Sequence, residues 1–153
     1  MSEQQWQEPQ RGFDGKPYTR EEFEAEMATE RRLKIVDLGI TFATDHGDVR
    51  AVDGVSLFLD PGEILALVGE SGSGKSVTSR SILGLLPETA TATGAILVEG
   101  TDVVGLHGAK LRRLRGEQVS MVFQEPSGSL IPVYPIWWHI GEGLRAHNPK
   151  LTK

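Results

Sequence analysis

Eight consecutive residues have the types and spacing of a phosphate-binding loop: Gly69, Glu70, Ser71, Gly72, Ser73, Gly74, Lys75 and Ser76. Phosphate oxygens need several hydrogen-bond donors at once, and Gly72 and Gly74 let successive backbone amides turn inward without a Cβ in the way. In this motif the lysine reaches the β and γ phosphates and the following hydroxyl binds Mg2+. The octapeptide therefore predicts that Lys75 and Ser76 hold a nucleotide with Mg2+.

The segments on either side of the loop predict the elements that must position it. Residues 64–68 are apolar without alternation, which is typical of a parallel strand buried on both faces. After Lys75, apolar residues at helical spacing predict a helix that Pro87 cannot continue: Val77, Ile82, Leu83, Leu85 and Leu86. This strand, loop and helix order disfavours the alternative of a chance glycine-rich turn, but it does not separate an ATPase from a GTPase or a small-molecule kinase.

An antiparallel hairpin is predicted ahead of the loop. The first strand has period-two apolar residues, predicted to share one face: Val36, Leu38, Ile40 and Phe42. A turn over residues 44–48 and a second apolar run over 49–59 complete the hairpin. Residues 60–63, with Pro61 and Gly62, then predict a tight turn.

Shorter elements are predicted after the helix. Residues 89–94 indicate a loop, 95–99 a strand, 111–115 a short basic helix, and 119–123 another buried strand. The alternation of element types predicts an α/β fold.

The N-terminal part is predicted to be separate from this core. Residues 1–18 are polar with little apolar periodicity, so we expect a disordered tail. Thr19 and Glu22 have the spacing of a capping box that opens a short charged helix running to Arg32. The predicted division is therefore residues 1–32, tail and helix, and residues 33–153, one domain.

Composition excludes several classes of protein. The 153 residues carry a net charge of −5, which argues against broad nucleic-acid binding, and contain no Cys for disulfides or thiolate metal sites. No apolar run approaches the roughly 18 residues of a membrane span, and residues 1–10 lack the features of a secretory signal. We therefore expect a cytoplasmic protein.

Four segments in order, residues 51–57, 61–63, 67–76 and 121–126, resemble the ATP-binding subunits of ATP-binding cassette transporters. Residues 111–116 and 132–134 look most like the dipeptide and oligopeptide import branch, and the resemblance covers about residues 33–146. It implies a P-loop NTPase fold with an antiparallel β layer over residues 33–59. It also implies ATP and Mg2+ as cofactors.

The resemblance assigns further site residues. Gln124 corresponds to the glutamine that contacts Mg2+ or the attacking water and couples the nucleotide to the membrane subunits, so it joins Lys75 as a catalytic candidate. Phe42 aligns with an aromatic residue that stacks on adenine in many members, although it could equally be the last core residue of its strand. His46 is interpreted as a solvated loop residue and left out of the site.

Several motifs of the family do not follow Gln124 in this sequence: the aspartate and catalytic glutamate, the Leu-Ser-Gly-Gly-Gln signature and the switch histidine. We therefore expect a chain truncated before them, with very weak or no hydrolysis by itself. Apolar stretches ending at Asp37, Asp60 and Glu99 imitate the missing strand but correspond to other elements. Residues 129–139 depart from the import branch, and their two tryptophans could pack on the rest of the domain or contact a membrane subunit.

The implied partners are transporter membrane subunits and a second ATP-binding subunit, at the cytoplasmic face of the inner membrane. The implied function is to energise peptide import by ATP binding and hydrolysis. Two alternatives stay open: a non-catalytic nucleotide-binding fragment, and a soluble cassette protein of translation or repair. The sequence does not indicate which substrate is carried.

Overall fold

The computed structural model describes residues 16–17, 19–124, 128, 130–148 and 150–151. Four strands, β1 to β4, form one antiparallel sheet in the order β2-β1-β3-β4: Leu33–Thr44, Gly47–Leu59, Ala90–Val98 and Thr101–Asp102. Four helices, α1 to α4, accompany the sheet: Arg20–Ala28, Lys75–Ile82, Gly108–Glu117 and Ile136–His147. This combination confirms the predicted α/β fold with an N-terminal antiparallel β layer.

The predicted hairpin is β1 with β2, paired from Leu33↔Leu59 to Thr44↔Gly47. On the other side of β1 lies β3, so the prediction of a loop over residues 89–94 was wrong. β3 starts at Ala90, opposite Phe42, and its threonines alternate with alanines along the pairing. Residues 90–94 form a strand because they pair with β1, and the local composition of these residues could not predict this pairing.

A bulge in β1 changes which side chains face the core. Asp37 has a φ of 48°, and the register of β1 shifts at this residue in its pairing with β2 and also in its pairing with β3. Opposite the bulge, Gly94 has a φ of 85°, and a Cβ there would collide with the carbonyl oxygens of Val36 and Asp37. The core cluster therefore contains Ile35 with Leu38 and Ile40, and the prediction that Val36 shares their face was wrong.

The second face of the sheet carries α1. The predicted capping box forms, with Thr19 Oγ1 accepting from the Glu22 amide. Phe23 is fully buried, and the helix ends at Ala28, so the prediction that it runs to Arg32 was wrong. The ammonium of Lys34, itself 3% exposed, donates to the carbonyl oxygens of Glu26 and Met27 at the C-terminal end of α1. Burial lowers the pKa of Lys34.

Helices α2 and α3 cover the core face, where α3 contributes the buried Leu114. The structure confirms the basic helix, which is longer than predicted. The prediction that α2 continues to Leu86 was wrong, because Gly84 ends it with a φ of 60°. The Gly84 amide donates to the Ser81 carbonyl and the Leu85 amide to the Arg80 carbonyl, the hydrogen bonds of a Schellman motif.

Two predicted strands are wrong: residues 64–68 and 119–123 are irregular. Ile64, Val68 and Val122 are 94%, 87% and 91% exposed. A parallel strand needs neighbours whose backbone groups complete its ladder. Among the strands that the structure describes, every pairing is antiparallel and none involves either segment, so both remain in contact with solvent.

The last helix, α4, has no buried residue in the structure. Its Trp138 stacks on Tyr134 at a centroid distance of 4.0 Å, whereas Trp137 is 70% exposed. No helix within the described ranges is long and apolar enough to cross a membrane.

Candidate phosphate-binding site

The phosphate loop lies between the irregular segment 64–68 and α2. It follows the predicted turn over residues 60–63, which forms with a hydrogen bond from the Glu63 amide to the Asp60 carbonyl. Gly74 is the N-cap of α2 and has a φ of 88°. A Cβ on Gly74 would lie 2.7 Å from the Ala51 carbonyl oxygen and 3.2 Å from a methyl of Val52. The loop therefore rests directly on β2, at a contact that only glycine permits.

The ammonium of Lys75 folds back over the loop. It donates to the carbonyl oxygens of Gly69 at 2.8 Å and Glu70 at 2.5 Å, and to the Ser73 hydroxyl at 3.1 Å. All three acceptors belong to the loop. Each ion pair found among the described residues joins other side chains, so no carboxylate there lies within 4.0 Å of Lys75. The hydrogen-bond acceptors of this positive charge within the described part of the chain are therefore neutral oxygens.

The start of α2 adds further donors. The first backbone amides of a helix have no carbonyl partner within the helix, and here the cap is a glycine with no side chain to accept from them. The first turn of α2 contains no acidic residue. The positive end of the helix dipole and the Lys75 ammonium therefore lie in the same turn of α2, which suits an anion.

The remaining loop residues leave this place accessible. Glu70, Ser71, Gly72, Ser73 and Ser76 are all exposed. Gly72 has a φ of 83°, and nothing lies within 4 Å of the position its Cβ would take. The loop residues thus surround a solvent-accessible space, and their binding of nucleotide phosphates stays a prediction. The Ser76 hydroxyl, at the second residue of α2, is available for a cation that accompanies the phosphates.

Phe42 lies near the end of β1, where it pairs with Val49 on β2 and Ala90 on β3. It is partly buried and packs against the core cluster. Two residues earlier on β1, Ile40 pairs with Val52 of β2, and Val52 is one of the two residues next to Gly74. Phe42 therefore lies on the part of the sheet beneath the loop, although none of the described contacts joins it to loop atoms. Its adenine contact stays a prediction.

Gln124 is exposed and is the last described residue of the segment that follows α3. None of the described contacts joins it to the loop. The next three residues, 125–127, lie outside the described residues, as do residues 1–15 and 18 of the tail predicted over residues 1–18. The roles of Gln124 as a Mg2+ ligand and catalytic residue stay predictions. His46, which was left out of the site, lies in the exposed turn between β1 and β2.

Two contacts of the site were not predicted. One is the support of Gly74 by Ala51 and Val52, and the other is a pair of hydrogen bonds from Arg115 to the end of α2. Part of the signal for the second was present, because a glycine such as Gly84 commonly ends a helix and its last carbonyls then need donors. No sequence pattern indicates that an arginine on another helix donates to the carbonyls at the end of α2.

Comparisons with known proteins complete the description of the site. The family model described as ABC transporter matches residues 52–134, more than half of the chain. An oligopeptide transport ATP-binding protein of Bacillus subtilis is 45% identical over 125 residues, covering 80% of this chain and 35% of that protein. A dipeptide transport ATP-binding protein of Lactococcus lactis is 41% identical over 128 residues, with 83% and 37% covered.

A further relative is a peptidoglycan transport ATP-binding protein of Agrobacterium fabrum, 48% identical over 125 residues, which cover 80% of this chain and 23% of the relative. The chain spans 20% to 37% of the length of the curated relatives it matches.

Proposed function

Because the chain belongs to the ATP-binding cassette transporter family, we propose that it binds ATP with Mg2+ through residues 69–76. The observation that carries this proposal is the environment of Lys75, a cation that donates to two carbonyl oxygens and one hydroxyl oxygen of the loop. An arriving phosphate would replace these neutral acceptors with charged oxygens, which make stronger hydrogen bonds with an ammonium.

The proposed roles of the loop residues rest on their positions, and those of Gln124 and Phe42 rest on the family to which the chain belongs. The amides of the loop and of the first turn of α2 bind phosphate oxygens, and the Lys75 ammonium bridges the β and γ phosphates. The Ser76 hydroxyl and the Gln124 side chain are the proposed Mg2+ ligands. When bound, Mg2+ would neutralise charge on the phosphates. Phe42 is the proposed contact of the adenine ring.

For the whole protein, we propose an ATPase subunit that energises peptide import. The relatives' names support this, since two are oligopeptide and dipeptide transport ATP-binding proteins, and one is named for peptidoglycan transport. The proposed partners are the membrane subunits of a transporter and a second ATP-binding subunit. The proposed location is the cytoplasmic face of the membrane.

Calorimetric titration of the 153-residue chain with Mg-ATP tests the binding proposal. Lys75→Ala should weaken binding by at least about tenfold, because it removes the charged donor to the phosphates. Lys110→Ala removes an exposed lysine from α3 and is the matched control, which should bind as the wild type does. Equal affinity in all three proteins would exclude the loop as the binding site.

Phosphate release measured in the same samples tests the second part. We expect the 153-residue chain to bind without measurable turnover, because none of its residues matches the family's catalytic glutamate. Turnover that depends on Lys75 would contradict this and would place the catalytic group within the printed sequence. Co-purification of the full-length subunit with transporter membrane subunits would separate a transport role from a soluble cassette protein.

A further inference from the structure

Arg115 on α3 makes two hydrogen bonds to the end of α2. Its Nε donates to the Leu83 carbonyl oxygen and its Nη2 to the Gly84 carbonyl oxygen, both at 2.7 Å. The planar guanidinium suits two neighbouring acceptors, which a lysine cannot engage in the same way. These carbonyls follow the last turn of α2, where the helix itself leaves acceptors without amide partners.

The same helix end packs against α3. A Cβ on Gly84 would lie 3.0 Å from a methyl of Leu111, so the two elements are in close contact there. Helix α2 is thus held at both ends. Its first residue is Lys75 of the phosphate loop, and its C-terminal end is bound to Arg115.

The chain that follows α3 leads directly to Gln124. The amides of Gln118 and Val119 both donate to the Leu114 carbonyl, which ties the start of this segment to the turn containing Arg115. Residues 118–121 also line a cavity of about 270 Å3 together with Ser79, Ile82 and Leu83 of the α2 region. One helix therefore lies between the phosphate loop and the segment that ends at Gln124.

We infer that Arg115 is a positioning residue that links the phosphate loop, through α2, to residues 119–124. The inference rests on the proposed ATP binding. Helix α2 has eight residues, with Lys75 in its first turn, and the two carbonyls that Arg115 binds directly follow its last turn. Arg115 joins that last turn to the segment carrying Gln124. Without the two hydrogen bonds, occupation of the loop and the conformation of residues 119–124 become independent.

Amide hydrogen exchange at saturating Mg-ATP tests the link, because saturation makes loop occupancy equal in all variants. In the wild type, nucleotide should slow exchange of amides in residues 119–124. Arg115→Ala should bind nucleotide and lose this slowing, and Arg115→Lys should keep part of it. Arg113→Ala is the matched control on the same helix, since Arg113 is 77% exposed and pairs with Glu117, and it should behave as the wild type.

A purely structural Arg115 would give a different result. Arg115→Ala would then lower the unfolding temperature but keep the slowing at saturation, which overturns the inference. Absence of the slowing in a wild type that binds nucleotide would also overturn it. If Arg115→Ala does not fold, Arg115→Lys decides, and wild-type slowing in that variant overturns the inference. If the wild type binds no nucleotide, the proposed function fails and this inference fails with it.

Discussion

Lys34 and Lys75 have the same side chain but different surroundings, and their roles differ for that reason. Lys34 is almost fully buried and its ammonium holds the end of α1, whereas Lys75 folds over an accessible loop. Burial disfavours the charged form of Lys34, which is why its pKa is lowered. The first lysine therefore has a structural role and the second suits a ligand.

The lowered pKa of Lys34 predicts a pH dependence of stability. Between the folded pKa and the unfolded value near 10.5, the unfolded state binds more protons, so the free energy of unfolding rises with pH. Lys34→Met removes this contribution. Urea unfolding from pH 8 to 10.5 should therefore show the wild type gaining stability relative to Lys34→Met as the pH rises.

The comparison needs a correction for the loss of a lysine charge in general. Lys110→Met, at an exposed position of α3, provides it when measured over the same pH range. A constant difference in unfolding free energy between the wild type and Lys34→Met at every pH would contradict the prediction.

At the scale of elements, the bulge in β1 and its partner on β3 set the register of the sheet. Gly94→Ala should destabilise the protein by at least about 2 kcal/mol, because it combines a positive φ with overlap on the carbonyls of Val36 and Asp37. Gly100→Ala is the matched control. Gly100 has a φ of 78°, but nothing lies within 4 Å of its Cβ position, so it should cost only about 1 kcal/mol.

The measurement is the free energy of unfolding in urea for the three proteins. Equal losses in both variants would mean that the conformation of the backbone alone matters. In that case the close approach of Gly94 to β1 would not contribute to register.

Elements defined by local rules could be predicted from the sequence, and elements defined by distant partners could not. The capping box at Thr19, the hairpin turn and the loop at Gly69 each depend on residues a few positions apart. The strand that starts at Ala90 depends on pairing with Phe42, which is 48 positions away. Its alternating threonines and alanines do not by themselves predict a strand. Residues 64–68 have a strand-like composition, but no strand the structure describes pairs with them.

Whole-molecule behaviour should reflect the apolar surface. On α4, Ile136, Trp137, Ile140 and Leu144 are 55% to 70% exposed, and residues 64–68 add a second apolar segment. Exposed apolar area of this kind drives association. We expect the purified 153-residue chain to bind a hydrophobic dye and to self-associate as its concentration rises.

Light scattering and dye fluorescence measure this. The double substitution Trp137→Gln with Ile140→Gln should lower both signals, whereas Glu142→Gln, an exposed polar position on the same helix, should not. A monomer at all concentrations, with no dye binding, would show that this surface is covered in solution.

The sheet order also determines how the binding loop is held. β2 and β3 lie on opposite sides of β1, and residues 60–89 leave from Leu59 beside Leu33 and return at Ala90 beside Phe42. The site thus lies in the connection from β2 to β3, which starts beside one end of β1 and returns beside the other end. The two strands on either side of this connection, β2 and β3, are therefore held together by their pairing with β1 as well as by the connecting backbone. A single peptide-bond cut in the exposed segment before Gly69 would leave β1 and β2 in one piece and β3 in the other, with the two pieces still joined by the pairing of β1 with β3.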